Sequence, residues 1–180
     1  MLRLRGSQAW SDFRINKTLA TLREHYPEIK SLDSQYHHLV ELDSPSTDMD
    51  GAEQDTLERL LEYGPQRPPV NHVGLRIYVL PRIGTISPWS TKATDIVHLC
   101  GLTKVRRVER IIAYYVDVDE SVSVDRTVLA NLLHDPMTES VVFDIEAAAS
   151  LFRHESPTEL TEVPLLKNGK IALAEANGRL

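Results

Sequence analysis

The segment from Val108 to Val118 constrains the fold more than any other part of the sequence. Apolar side chains fall on both faces of this predicted strand, most densely in the run Ile111–Val116. A strand that is apolar on both faces belongs in the middle of a sheet whose two faces are covered. We therefore expect a layered domain in which this strand is central.

Shorter helix-like and strand-like segments precede the central strand. Ser11 is placed to cap a helix whose apolar residues recur at helical spacing, and Pro27 closes that helix. Gly64 is placed to end a second helix. In the first half we therefore predict a strand at 2–5, a helix after Ser11, a strand at 34–42 and a helix around Leu57–Leu61.

The second half of the chain repeats this order. Gly101 stands where the left-handed residue after a helix belongs, and Leu102 is placed for the apolar contact that accompanies it. Asp125 can cap the next helix, which Pro136 ends. The predicted elements are strands at 73–80, 108–118 and 141–143, a helix at 93–100 and a helix after Asp125.

Two successive β-α-β-α passes predict an α+β domain. We expect helices packed on a mostly antiparallel sheet, with pseudo-twofold symmetry between residues 1–65 and 73–145. Residues 1–145 would then form one domain, and residues 146–180, which read as helical segments broken by prolines, would begin a helical linker.

Composition excludes several classes of protein. Twenty basic and 26 acidic residues give a net charge of −6, which argues against a general nucleic-acid surface. A local cluster of Arg106, Arg107 and Arg110 fits a solvated or acidic-partner-facing strand edge better than a nucleic-acid patch. The longest apolar run is too short to cross a bilayer, and the first residues lack the apolar core of a signal peptide. With a single cysteine, the chain is expected in the cytoplasm, with neither nucleic acid nor membrane as a partner.

A polar run between a predicted strand and a predicted helix is the main candidate site. Hydroxyls, two cations and one large aromatic lie close together there: Arg82, Thr85, Ser87, Trp89, Ser90, Lys92 and Thr94. Ser87 or Ser90 can cap the helix, with Pro88 at its start, and Trp89 can cover the domain's own core. Trp and Arg are also typical anchors of buried interfaces, and a helix N-terminus can bind an anion. We favour an interface, and local capping and anion contact remain the alternatives.

No catalytic or metal site is predicted. Cys100 is the only thiol, and its place on the apolar stripe of the 93–100 helix predicts a buried structural role. The seven histidines show no zinc-ligand spacing. Gly84 has no further glycine before Gly101, so no phosphate-cradling loop and no cofactor site is expected on this chain.

The polar run also carries a resemblance. Its residues from Arg82 to Ile96, continuing to Leu102, resemble a signature of the large, single-chain phosphoribosylformylglycinamidine synthases of purine biosynthesis, also called formylglycinamide ribonucleotide amidotransferases. Further similar segments lie outside that run. They are Leu4–Ser7 and Phe13–Lys17, Leu57–Gly64, and Arg107–Arg110 with Ala113–Tyr115.

The resemblance implies a fold and a role. The N-terminal domain of that family is similar to a dimer of the small accessory subunit found where the enzyme is split into separate chains. The parent reaction is ATP-dependent and uses glutamine and magnesium. The family's catalytic residues belong to later synthetase and glutaminase domains, so none is transferred to this chain. We expect a non-catalytic assembly domain that braces the synthetase domain and the ammonia passage. The alternative is a free-standing ferredoxin-like module that binds a phosphorylated small molecule.

Overall fold

The computed structural model describes residues 1–44, 47–64, 74–119, 122–153, 160 and 162–178. The boundary between the two predicted halves, at residues 65–73, lies outside the described residues. The strands are β1 Leu2–Gln8, β2 Ile29–Leu42, β3 Leu75–Pro81, β4 Val105–Val118 and β5 Glu139–Val142. The helices are α1 Asp12–His25, α2 Gly51–Leu61, α3 Pro88–Leu99, α4 Arg126–Leu133, a 3-10 helix Ile145–Phe152, and α5 Leu165–Asn177.

The five strands form one antiparallel sheet in the order β1-β2-β4-β3-β5. The long strands β2 and β4 pair from Ile29 opposite Val118 to Leu42 opposite Val105. The prediction of an α+β domain with an antiparallel sheet covered by helices is therefore confirmed, and β4 occupies the central position that its sequence requires. The pseudo-twofold relation between the halves stays a prediction.

One face of the sheet carries two apolar clusters with a gap between them. At one end α1 and α4 pack over residues such as Ile77 and Tyr114. At the other end α2 and α3 pack over Val40 and Val108. Between the two clusters lies a polar cross-strand pair, which we call the polar rung: His38 of β2 stands opposite Arg110 of β4. The architecture thus places polar residues at the centre of a helix-covered face.

The opposite face is covered by the 3-10 helix, which buries Ala148 and Leu151 against β3 and β4 residues. Sequence periodicity predicts an ordinary helix at this place, and the structure gives a tighter one. The packing of the sheet therefore extends to Phe152. The division into residues 1–145 and 146–180 stays a prediction.

The C-terminal end of α3 has the predicted backbone geometry, but its cysteine is not buried as predicted. Gly101 has φ = 85°, and the amides of Gly101 and Leu102 donate to the carbonyls of His98 and Val97. Gly101 therefore has the left-handed conformation predicted for it, and Leu102 is buried as such a helix end requires. The prediction of a buried Cys100 is wrong, because the residue is exposed. Cys100 follows the last residue of α3, and only Val97 of that last turn is buried.

The C-terminal helix α5 is kinked at Gly169, which has φ = 53° and ψ = −136°. Only Ala172 of this helix is buried, and the large apolar side chains of Leu166 and Ile171 are exposed. Within the described ranges, no helix combines the length and the apolar character needed to cross a membrane.

Candidate functional site: two polar clusters on strand β4

The inner face of α3 explains three of the hydroxyls in the polar run. Ser87 caps the helix by accepting from the Ser90 amide at 3.0 Å, with Pro88 as the first helical residue. Ser90 Oγ donates to the Val108 carbonyl at 2.6 Å, and Thr94 Oγ1 accepts from the Val108 amide at 3.0 Å. Because β3 pairs with β4 only from Ile112 onward, these hydroxyls satisfy a strand edge that has no neighbouring strand there.

A buried ion pair closes the contact between α3 and β4. The Glu109 side chain is fully buried, and its Oε1 lies 2.6 Å from Arg107 Nη2. The same carboxylate accepts from the Ser87 amide at 3.1 Å and from the Ser87 hydroxyl at 2.9 Å. Arg107 also donates to the carbonyls of Thr85 and Leu151. We call Ser87, Arg107 and Glu109 the Glu109 cluster; its charges are paired and its hydrogen bonds reach the 82–87 loop and the 3-10 helix.

Arg82, Thr85 and Lys92 of the polar run point outward. Arg82 and Lys92 are exposed, and neither forms an ion pair with any residue that the structure describes. Thr85 is exposed and its hydroxyl closes the local turn by donating to the Arg82 carbonyl at 2.6 Å. The outward stripe of α3 continues with Ile96 and Leu99, which are 50% and 87% exposed.

Trp89 connects α3 to the polar rung at the centre of the sheet. Its ring stacks on His38, with centroids 5.5 Å apart and planes 22° apart. The Arg110 guanidinium lies 4.9 Å from the Trp89 centroid and 4.2 Å from the Tyr36 centroid, so it is sandwiched between two aromatic rings. Tyr63 OH contacts His38 Nε2 at 2.8 Å and accepts from Arg110 Nη1 at 3.2 Å. We call Tyr36, His38, Tyr63, Trp89 and Arg110 the Arg110 cluster.

His38 is held in its neutral form. Burial, and next the neighbouring charge of Arg110, lower the pKa of His38 to about 4. Its ring is fully buried, and its Nδ1 has no hydrogen-bond partner among the described residues. Gly6 on β1 leaves room for this ring, since a Cβ there would lie 2.7 Å from His38 Cε1. Burial also raises the pKa of Tyr63, which keeps that hydroxyl protonated.

The Arg110 cluster opens into a cleft of about 260 Å³ on the helix-covered face. Tyr36, Trp89, Arg110, Ile112 and Glu139 are among its lining residues. In the part of the chain that the structure describes, no carboxylate lies within ion-pair distance of Arg110. A larger groove of about 550 Å³ follows α1, but it is lined mainly by exposed side chains of that one helix. The smaller cleft therefore has the more distinctive chemistry.

The structure separates residues that the sequence places together. The predicted basic cluster is divided, because Arg106 contacts Glu41 at 3.8 Å, Arg107 contacts Glu109, and Arg110 lies between aromatic rings. The roles of Glu109 and His38 were missed by sequence reasoning. The available signal was the presence of charged and imidazole groups inside strands that are otherwise apolar. Among the described residues, no three His, Cys, Asp or Glu side chains come together as a metal site would require.

The comparison with known protein families decides the assignment. The model of the family described as "Formylglycinamide ribonucleotide amidotransferase N-terminal" matches residues 35–152, well over half of the chain. This chain belongs to that family. The match includes β3, α3, β4 and both polar clusters, and it begins inside β2. The similar segments at Leu4–Ser7 and Phe13–Lys17 lie outside it.

Membership of the amidotransferase family places this chain in purine biosynthesis. An N-terminal region of formylglycinamide ribonucleotide amidotransferase also implies further domains or subunits of the same enzyme. The resemblance seen in the sequence and the family match therefore agree on the enzyme family to which this chain belongs.

Proposed function

We propose that this chain is the non-catalytic assembly domain of an ATP-dependent, glutamine-using phosphoribosylformylglycinamidine synthase, a cytoplasmic ligase. Its partners would be the synthetase and glutaminase domains of the same enzyme, and it would brace the synthetase domain and the ammonia passage. The observation that carries the proposal is the family match over residues 35–152. ATP and magnesium would be bound by the other domains of that enzyme.

The outward side of α3 and its preceding loop supports the proposal as a contact surface. Ile83 and Ile86 are 41% and 56% exposed, beside the exposed cation Arg82. Lys92, Ile96 and Leu99 follow at helical spacing on the stripe opposite Ser90 and Thr94. Apolar area interspersed with cations is suited to an interface with an acidic or mixed partner surface.

The hydroxyls of the polar run favour this proposal over the free-standing module. Ser87, Ser90 and Thr94 turn inward and bind β4 or Glu109, so they do not form an open cradle for a phosphate. The surface left for a partner consists of the outward cations and apolar side chains.

Association with a separately expressed remainder of the enzyme tests the proposal. The double variant Arg82→Ala/Lys92→Ala should weaken association by roughly tenfold while the thermal midpoint stays within a few degrees. Lys17→Ala/Arg59→Ala is the matched control, because it removes two exposed cations from α1 and α2. Failure of the wild-type chain to associate at all would overturn the proposal. Equal loss in both double variants would show only a general charge effect and would reject the α3 surface.

A second measurement addresses catalysis by the chain alone. We expect no release of ammonia from glutamine and no hydrolysis of ATP by these 180 residues. Ammonia release above a heat-inactivated control would contradict the non-catalytic assignment.

A further inference from the structure

Arg110 is a half-buried cation that is held in place by its neighbours and has no ion-pair partner among the residues that the structure describes. Its guanidinium carbon lies 4.2 Å from the Tyr36 ring centroid and 4.9 Å from the Trp89 ring centroid, and Tyr63 OH accepts one of its hydrogen bonds. A guanidinium has five N–H donors, so most of its hydrogen-bonding capacity remains after this contact. Withdrawing a cation from water without a counter-ion is unfavourable, and an incoming anion would offset that cost.

The surroundings of Arg110 have the composition of a small-ligand site. Ile112 and Val79 supply apolar surface to the cleft, and Trp89 and Tyr36 supply flat aromatic surface. Planar guanidinium groups bind carboxylates and phosphates through two parallel hydrogen bonds. The cleft volume of about 260 Å³ matches a small metabolite.

Glu139 narrows the choice of ligand. It also lines the cleft, and its Oε2 accepts from the Asp135 amide at 2.9 Å. A carboxylate in the same cleft disfavours a ligand that is anionic throughout, and it accepts hydrogen bonds from hydroxyl groups. The matching molecule therefore carries an oxyanion together with hydroxyl donors.

We propose that the Arg110 cleft binds a small hydroxylated oxyanion, with its carboxylate or phosphate group on Arg110 and its hydroxyl groups toward Glu139. This site is separate from the outward surface of α3 and does not rest on the assembly role. The ligand is held by a residue of β4 and by aromatic rings from β2 and α3, so the folded sheet positions it.

The two sources of the oxyanion can be distinguished by titration at constant ionic strength. D-ribose 5-phosphate supplies a phosphate, L-malate supplies carboxylates, and D-ribose is the neutral control. We expect saturable one-to-one binding of at least one anionic probe by calorimetry, together with a shift of the Trp89 indole N–H signal in NMR spectra. D-ribose should give neither effect.

Variants of two arginines on β4 locate the site. Arg110→Gln should weaken binding by roughly tenfold or more, since a charged hydrogen-bond donor is lost. Arg106→Gln is the matched control, because Arg106 is an exposed arginine of the same strand, and binding should stay within about twofold. Should Arg110→Gln fail to fold, Arg110→Lys tests the site instead. It keeps the positive charge but lacks the paired N–H donors of the guanidinium, so a folded Arg110→Lys protein should bind more weakly than wild type.

Several results would overturn the proposal. They are the absence of saturation with both anionic probes, equal binding by wild type and Arg110→Gln, or equal losses in Arg106→Gln and Arg110→Gln. Displacement of the probe by the remainder of the enzyme would assign the cleft to an interface contact and would also reject a free ligand. Association of the chain with that remainder is measured without probe, so the assembly proposal stands or falls separately.

Discussion

Glu109 and Arg110 are consecutive residues of β4, yet they lie in opposite kinds of polar environment. Glu109 is fully buried, paired with Arg107 at 2.6 Å and bound twice by Ser87. Arg110 is half-buried and is held by aromatic rings and a phenol, with no ion-pair partner among the described residues. Successive side chains of a strand point to opposite faces, so one residue step separates the two environments.

The difference separates a structural role from the binding role that we propose for the Arg110 cluster. The Glu109 cluster satisfies its own charges and hydrogen bonds, and its contacts with the 82–87 loop and the 3-10 helix account for it as part of the fold. The Arg110 cluster holds its guanidinium in place without an ion-pair partner among the described residues. A positioned charge without a partner is the arrangement expected of a group that meets a ligand.

The largest effect is expected from Glu109→Gln. The amide would place an N–H donor against Arg107 or Ser87 and leave Arg107 without its anion, so the free energy of unfolding should fall by about 3 kcal/mol or more. Urea denaturation measures the change. Glu41→Gln, at a partly exposed pair with Arg106, is the control and should change stability by less than about 1 kcal/mol. Similar values for the two variants would show that the Glu109 cluster is not the structural one.

The pH dependence of stability should reveal His38. Its pKa is 6.5 in the unfolded chain and about 4 in the fold, so the unfolded state binds the proton more readily. The stabilisation is complete above pH 6.5 and declines as the pH falls, by about 1.4 kcal/mol per pH unit and roughly 3 kcal/mol by pH 4. We expect wild type to lose that much more than His38→Gln between pH 7 and pH 4, measured by denaturation at each pH. If the free energies of unfolding of wild type and His38→Gln fall in parallel with pH, His38 is not a buried neutral residue of the Arg110 cluster.

Trp89→Ala should lower the free energy of unfolding by about 2 kcal/mol, less than for a fully buried aromatic residue. Trp89 is half-buried, covers His38 and packs against the cluster under α2 and α3. Thermal and urea unfolding provide the measurement, and Lys92→Ala on the outward stripe is the control. An unchanged midpoint would mean that Trp89 serves only a partner surface.

The smallest effect is expected from Arg110→Met. An apolar side chain of similar length keeps the packing between Tyr36 and Trp89 and removes a charge that has no ion-pair partner in the described part of the chain, so stability should stay within about 1 kcal/mol of wild type or rise. Arg107→Met provides the direct contrast, since it leaves Glu109 buried without its cation and should cost about 3 kcal/mol. Comparable losses in both variants would break the distinction between the two clusters.

Sequence reasoning located most elements because their signals are local. Ser87, Asp125 and Gly101 stand at the helix ends that they were predicted to form, and β4 has the two apolar faces of a central strand. The site was predicted less completely. The polar run was identified, but three of its hydroxyls turn inward, and its tryptophan pairs with His38 and Arg110.

The sequence by itself determined the order of strands and helices, their caps and the central place of β4, since periodicity and capping act within a few residues. Only the tertiary structure decided which polar groups meet. His38 reaches Arg110 because β2 and β4 pair in one register, and Trp89 reaches both because α3 packs over the end of that rung. A shift of one residue in that register would send the side chains of the shifted strand to the other face and would separate His38 from Arg110.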